Sequence, residues 1–282
     1  MFHYPQFNPV AFSIGPLQVR WYGIMYLAAF LLVWIGLRAR SQAPWSKVKP
    51  KNVDDVVFYG ALGAIVGGRI GYMLVYAHQE LFADPLSLFT VWKGGMSFHG
   101  GLSGVLVAMW LYGRYQGIKF FDLTDAIAPW SSGGIFFGRI GNFINGELWG
   151  KVTSPDAPWA VIVNGEPRHA SQLYEAFLEG LVLSLVLWFY TRKPRPTAAA
   201  SGLFLILYGS FRILIEFVRV PDEQLGYLSL GWITMGQVLS VPMVIAGAVI
   251  MALALRKGLG SDGAAEADAA GGARGSIAKK AG

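Results

Sequence analysis

The chain has no cysteine among its 282 residues. That excludes disulfides, thiolate metal sites and cysteine nucleophiles, so any thiol chemistry takes its sulfur from a substrate. Charge is also scarce: 14% of residues are Asp, Glu, Lys or Arg, against about 25% in an ordinary soluble domain. Histidine is sparse, and His3, His78, His99 and His169 are too dispersed to pair at metal-ligand spacing, so no metal or other cofactor is expected. The start lacks the short basic-then-apolar pattern of a cleaved signal peptide, and the first apolar segment reads as a retained anchor. The net charge of +6 does not point to nucleic acid, because the basic residues cluster in a few loops between apolar segments.

What is present is apolar surface, 54% of the chain. Seven segments approach the roughly 20 residues that cross a bilayer: about 18–37, 54–76, 95–113, 122–140, 171–191, 201–219 and 234–256. This predicts an all-α membrane protein with seven transmembrane helices. Basic residues gather after the first, third, fifth and seventh segments, as at Arg38, Arg40, Lys47, Lys49 and Lys51 and at Arg192, Lys193 and Arg195. That excess marks the cytoplasmic side, so the N-terminus is expected outside and the C-terminus inside. The polytopic membrane domain is expected over 1–257, and the Gly/Ala-rich stretch 258–282 reads as a disordered cytoplasmic tail. The outer loop at about 141–170 carries a β-like run, Trp159 to Val163, before Asn164-Gly165. A small hairpin-like cap on the outer face follows from that turn chemistry. Gly63, Gly67 and Gly71 recur every four residues and read as a close helix-packing face.

Polar groups inside apolar segments are costly unless partnered or used. Residues 138–150, GRIGNFINGELWG, place Arg139, Asn142, Asn145 and Glu147 at a membrane boundary. Arg69 and Arg212 lie within other segments, each costing about 2.5–3.5 kcal/mol at a helix centre. Tyr208, Arg212 and Glu216 are spaced by four and share a helical face. Mutual neutralisation accounts for an Arg–Glu pair at that spacing, and ligand binding is the competing reading. His99 stands between glycine pairs in Gly94-Gly95-Met96-Ser97-Phe98-His99-Gly100-Gly101, where a ligand can approach. Tyr22 follows Arg20-Trp21 at the outer end of the first segment, where an interfacial aromatic is equally expected. These groups map to the outer half, and their guanidinium forks match phosphate oxygens. The residues alone point to a phospholipid head-group site. A transporter or flippase for an anionic lipid, and a structural membrane subunit, remain competing readings.

The chain resembles the prolipoprotein diacylglyceryl transferase family. The segment Gly138 to Gly150 matches that family's Gly-Arg-x-(Gly/Ala)-Asn-Phe-apolar-Asn-x-Glu-x-x-Gly pattern. The likeness extends to Arg20 to Gly23, Gly68 to Tyr72, Gly94 to Gly101, His169 to Glu175 and Tyr208 to Glu216, with Ala170 standing where proline is expected. The resemblance implies a bacterial inner-membrane enzyme with its active site on the periplasmic or outer side. Its substrates would be phosphatidylglycerol and a prolipoprotein signal peptide bearing a lipobox cysteine. The diacylglyceryl group passes to the cysteine thiol and glycerol phosphate leaves. His99 and Tyr208 carry over as catalytic candidates, either of which handles the proton, and Arg139 and Arg212 as cations for the phosphate. Arg69, Tyr22, Asn142, Glu147, Gly150 and Glu216 carry over as lipid-binding or site-shaping residues.

Overall fold

The computed structural model describes residues 2–15, 17–221, 226, 228 and 231–278, apart from the side chains of 17, 93 and 259–278. It is mostly helical, as an apolar solvent demands, because a helix satisfies its backbone polar groups internally. In order come β1 (Phe2–His3), β2 (Val10–Ile14), β3 (Leu17–Arg20), α1 (Trp21–Ser41), α2 (Val53–Val75), the short α3 (His78–Ala83), α4 (Phe98–Gln116) and α5 (Phe120–Asn145). After β4 (Ala160–Val163) and β5 (Glu166–His169), α6 (Ser171–Glu175) passes through a π-helical stretch, Ala176–Val182, into α7 (Leu183–Tyr190). The chain then forms α8 (Ala199–Glu216) and α9 (Met235–Ala278).

Among the described residues, five stretches are long and apolar enough to cross a membrane: Trp21–Ser41, Pro50–Val75, Ser171–Tyr190, Ala199–Glu216 and Met235–Gly258. The helices α4 and α5 are of comparable length, but glycines dilute the first and Asp122, Asp125 and Arg139 the second. Many large apolar side chains face outward, among them Leu27, Leu31, Phe58, Leu74, Trp110 and Leu253. Such a surface suits a lipid surround and would be an aggregation hazard in water. The tail read as disordered from 258 falls where side chains, and over 279–282 the backbone too, lie outside the described residues.

Helix contacts are made by glycine. On α2, a Cβ at Gly63 would lie 2.6 Å from the Gly104 carbonyl oxygen, and one at Gly71 would lie 2.7 Å from Gly100 Cα. The four-residue glycine spacing therefore serves packing, with α4 as the partner. Gly202 and Gly247 bring α8 and α9 together in the same way, and Gly141 on α5 receives the Tyr22 ring of α1. Helix α5 ends at Gly146, whose φ of 69° closes a left-handed cap.

The expected hairpin is present. Strands β4 and β5 pair antiparallel around Asn164 and Gly165, both at positive φ (51° and 86°), the backbone of a tight hairpin turn. β1 adds to β4 in parallel. Tyr4 then donates to the Phe143 and Ile144 carbonyls at 2.9 and 2.8 Å and packs edge-on against Trp149, which ties the chain start to the end of α5. A second hairpin, β2–β3, runs directly into α1. The sequence reading placed the first helix from about 18, because Leu17–Arg20 joins the apolar run of α1 without a break.

Candidate functional site

The C-terminal ends of α5 and α8 and the short α6 converge on a buried ion cluster. Gly180 makes this possible, since a Cβ there would stand 2.6 Å from Phe136 Cβ. At that approach Arg139, one turn beyond Phe136, meets Glu175, just before the π-helical stretch, and Glu179 within it. Local π geometry recurs at functional sites, because the extra residue re-aims the side chains around it. Arg139 Nε is 2.5 Å from Glu175 Oε2, and its Nη2 is 4.0 Å from Glu179 Oε2. From α8, Arg212 reaches Glu216 at 2.5 Å and Glu175 at 3.5 Å. Arg219, just past α8, donates to Glu175 at 3.0 Å and lies 3.9 Å from Glu216. Glu216 also accepts from the Thr234 hydroxyl at 2.6 Å, which links the cluster to the start of α9.

The spacing of Arg212 and Glu216 thus yields an ion pair, and the pair belongs to a larger array. Among the described residues the array holds three guanidiniums and three carboxylates. Glu175 and Glu179 are fully buried. A buried cation without such partners would cost several kcal/mol, so the acids make the arginines possible where they stand. The arginines are not fully enclosed: 20% of the Arg139 side chain and 15% of the Arg212 side chain remain accessible. Carboxylates neutralise both side chains, and their accessible part is where a phosphate oxygen can approach a guanidinium.

GRIGNFINGELWG forms one wall of this cluster. Arg139 Nη1 donates to Asn142 Oδ1 at 3.4 Å, and Asn142 Nδ2 donates to Glu147 Oε2 at 3.3 Å. Asn145 donates to the other Glu147 oxygen at 3.1 Å. Glu147 is exposed and thus steadies Arg139 through a buried amide. Tyr22 interacts with Asn142 and with the Tyr26 ring from the α1 side. Gly150 is a close-approach point, where a Cβ would lie 2.6 Å from the Val218 carbonyl oxygen and 2.8 Å from His169 Cβ. The backbone of Gly150 bridges Arg219, which fastens the cap to the segment that carries that arginine. Gln172 and Ser171 donate to the Glu147 and Leu148 carbonyls at 2.5 and 2.8 Å and hold the same turn from α6. His169, outside the helices, has its pKa pushed down by burial and by the nearby Lys151 ammonium, and its Nδ1 lies 3.2 Å from the Tyr174 hydroxyl.

Tyr208 stacks on Phe204 one turn before Arg212, at 5.8 Å between ring centroids. The structure therefore brings Arg139, Arg212, Glu216, Tyr208, Asn142, Glu147, Tyr22 and Gly150 into one neighbourhood. Among the described residues, no hydrogen bond or ion pair joins His99 or Arg69 to them. His99 is exposed in the first turn of α4, with its ring against Phe98 at 5.6 Å. Arg69 is 4% exposed and spends its guanidinium on a single loop. It donates to the carbonyls of Ser87, Leu88, Gly94 and Gly95 at 2.5, 3.1, 2.6 and 3.3 Å and to the Thr90 hydroxyl at 3.2 Å. That loop leads into the glycine frame of His99.

Sequence reasoning missed Glu175 as a partner and Glu179 altogether. Two acids four residues apart within an apolar segment were a usable signal, by the cost argument that exposed the arginines.

The sequence model described as prolipoprotein diacylglyceryl transferase matches residues 9–253. A protein of Methylococcus capsulatus named phosphatidylglycerol–prolipoprotein diacylglyceryl transferase is 54% identical over 258 residues, 90% of this chain and 98% of that protein. One of Solidesulfovibrio magneticus with the same name is 53% identical over 257 residues, covering 89% and 96%. One of Pseudomonas aeruginosa PAO1, again so named, is 54% identical over 263 residues, covering 91% and 97%.

Proposed function

Because the chain belongs to the prolipoprotein diacylglyceryl transferase family, we propose that it moves the diacylglyceryl group of phosphatidylglycerol onto the lipobox cysteine thiol of a bacterial prolipoprotein. The observation that carries this reading is the buried cluster of three arginines held on three glutamates, with part of the Arg139 and Arg212 side chains still accessible. The sulfur forms a thioether bond to the glyceryl carbon that bears the phosphate oxygen. The carbon–oxygen bond breaks, and glycerol phosphate leaves. The phosphodiester monoanion becomes a phosphomonoester, so negative charge grows on the phosphate during the step. Cations already fixed in place lower that barrier without reorganising. Arg139 and Arg212 fill this role, and the absence of cysteine fits a nucleophile brought by the peptide.

A thiol with pKa near 8.5 attacks as thiolate and benefits from a base. The exposed His99 ring makes no hydrogen bond to the described residues, which leaves it able to take that proton. Tyr208 stacks beside the arginines and suits the head group instead. Asn142, Glu147 and Tyr22 hold Arg139, Gly150 and Glu216 shape the wall, and Arg69 fixes the loop before His99. The reading includes seven spans, α4 and α5 among them, with the N-terminus outside and the site facing the outer leaflet of a bacterial cytoplasmic membrane. The basic loops after the first, third, fifth and seventh segments support that orientation.

The test is purified protein, phosphatidylglycerol and a lipobox peptide, read by the mass of the peptide. The expected product is a diacylglyceryl thioether. His99→Ala should lower turnover by about 100-fold or more, within the range for removal of a general base. Near-normal turnover would remove His99 from the mechanism.

A further inference from the structure

Glu179 stands apart from the other two carboxylates. Glu175 Oε1 accepts from Arg212 and Arg219, and Glu216 accepts from Thr234 and pairs with Arg212. Glu179 is equally buried, yet neither of its oxygens has a hydrogen-bond partner, and its nearest cation is Arg139 Nη2 at 4.0 Å. An ionised carboxylate left so is expensive, while a neutral one costs far less. The charges of the cluster sharpen the point. With all six groups ionised, the three arginines and three glutamates sum to zero. Arrival of a lipid phosphate then places an uncompensated negative charge at the membrane face, within reach of Arg139 and therefore close to Glu179. Loss of one carboxylate charge would offset it.

We propose that Glu179 is the positioning residue that takes up a proton as the anionic head group binds, releasing Arg139 from its weakest carboxylate partner so that the fork serves the phosphate. This rests on the reading that phosphatidylglycerol is the donor. The groups that face Glu179 are Glu175 from α6, Arg139 from α5, and Tyr208, Arg212 and Arg219 from α8 and the residues after it. Glu175 is the other acid able to take the proton, but it would forfeit two hydrogen bonds from arginines. Proton uptake ties binding to pH with a definite sign. Affinity for the lipid strengthens as pH falls, by up to about tenfold per pH unit for one proton.

The experiment measures phosphatidylglycerol affinity and KM from pH 5.5 to 8.5 for the wild-type protein and for Glu179→Gln, with diacylglycerol as the ligand that lacks phosphate. Glutamine is the neutral isostere. Glu179→Gln should bind phosphatidylglycerol with little pH dependence, whereas the wild type weakens as pH rises. Diacylglycerol should show no slope in either protein. Equal slopes in wild type and Glu179→Gln would overturn the proposal by placing the proton elsewhere. A second measurement does not depend on the variant. Wild-type protein in weak buffer should take up as much as one proton on addition of phosphatidylglycerol, and no uptake across the range overturns the proposal. If the wild type never forms the thioether, the underlying reading of the donor fails, a result distinct from a missing proton.

Discussion

Arg69 and Arg139 are both arginines set in apolar helices, and the two are held in opposite ways. Arg69 is satisfied by backbone carbonyls and a hydroxyl, five acceptors in one loop. Arg139 is satisfied by carboxylates on another helix and by one amide that answers to Glu147. Carbonyls neutralise no charge, but they consume every edge of the fork, and the result is a staple. Carboxylates neutralise the charge while a fifth of the side chain stays accessible. The difference teaches that a buried arginine is to be judged by which of its N–H groups remain unspent, more than by its depth.

The strongest challenge to that contrast is Arg139→Lys. Lysine keeps the charge and can still pair with Glu175, but it offers a point donor in place of a fork. The expected outcome is a fall in kcat/KM of about 100-fold or more, the scale of losing a positioned transition-state donor, with a melting temperature near wild type. Unchanged kcat/KM for lipid transfer would break the comparison from its functional side. Arg69→Ala should do the reverse. Orphaning several carbonyls in a buried loop should cost about 3 kcal/mol of stability, seen as a lower melting temperature. The KM for phosphatidylglycerol should stay near wild type in the folded fraction. A large rise in that KM would show that Arg69 meets the lipid.

The contrast also explains what the sequence could reveal. Arg69, Arg139 and Arg212 stood out for the same reason, because charge inside an apolar run has a cost visible in one dimension. Which of them was a staple did not show, since the carbonyls that hold Arg69 lie 18 to 26 residues away in an irregular loop. The hairpin at Asn164-Gly165 was legible because its turn needs positive φ at both residues and those residue types tolerate it. The hairpin before α1 also turns at a positive-φ glycine, Gly15, but its second strand runs straight into α1 with no break between them. The acids were harder. Arg212 and Glu175 are 37 residues apart, and Arg219 and Glu175 are 44 apart. Nothing local announces the π-helical stretch between Glu175 and Leu183 either, where Gly180 lies against Phe136 of another helix.

The smallest expected effect separates packing from function at two glycines. At Gly67 on α2, a Cβ would lie 2.7 Å from Gly104 Cα, and the nearby groups all belong to the α2–α4 contact. Gly67→Ala should therefore cost about 1–3 kcal/mol of stability from overpacking and leave the lipid KM unmoved. At Gly150 a Cβ meets the Val218 carbonyl oxygen at 2.6 Å, next to the residue that donates to Glu175. Relief of that clash displaces the segment at Val218 and carries Arg219 away from Glu175. One carboxylate oxygen then loses one of its two donors, and Arg139 and Arg212 share a less balanced partner. Gly150→Ala should show a similar stability loss, and in addition a fall of about tenfold in kcat/KM, equivalent to about 1.4 kcal/mol. The two alanine variants differ in which side chain the displaced backbone carries. If their kinetic profiles coincide at matched stability, the link from Gly150 through Arg219 to the carboxylate cluster has no functional consequence.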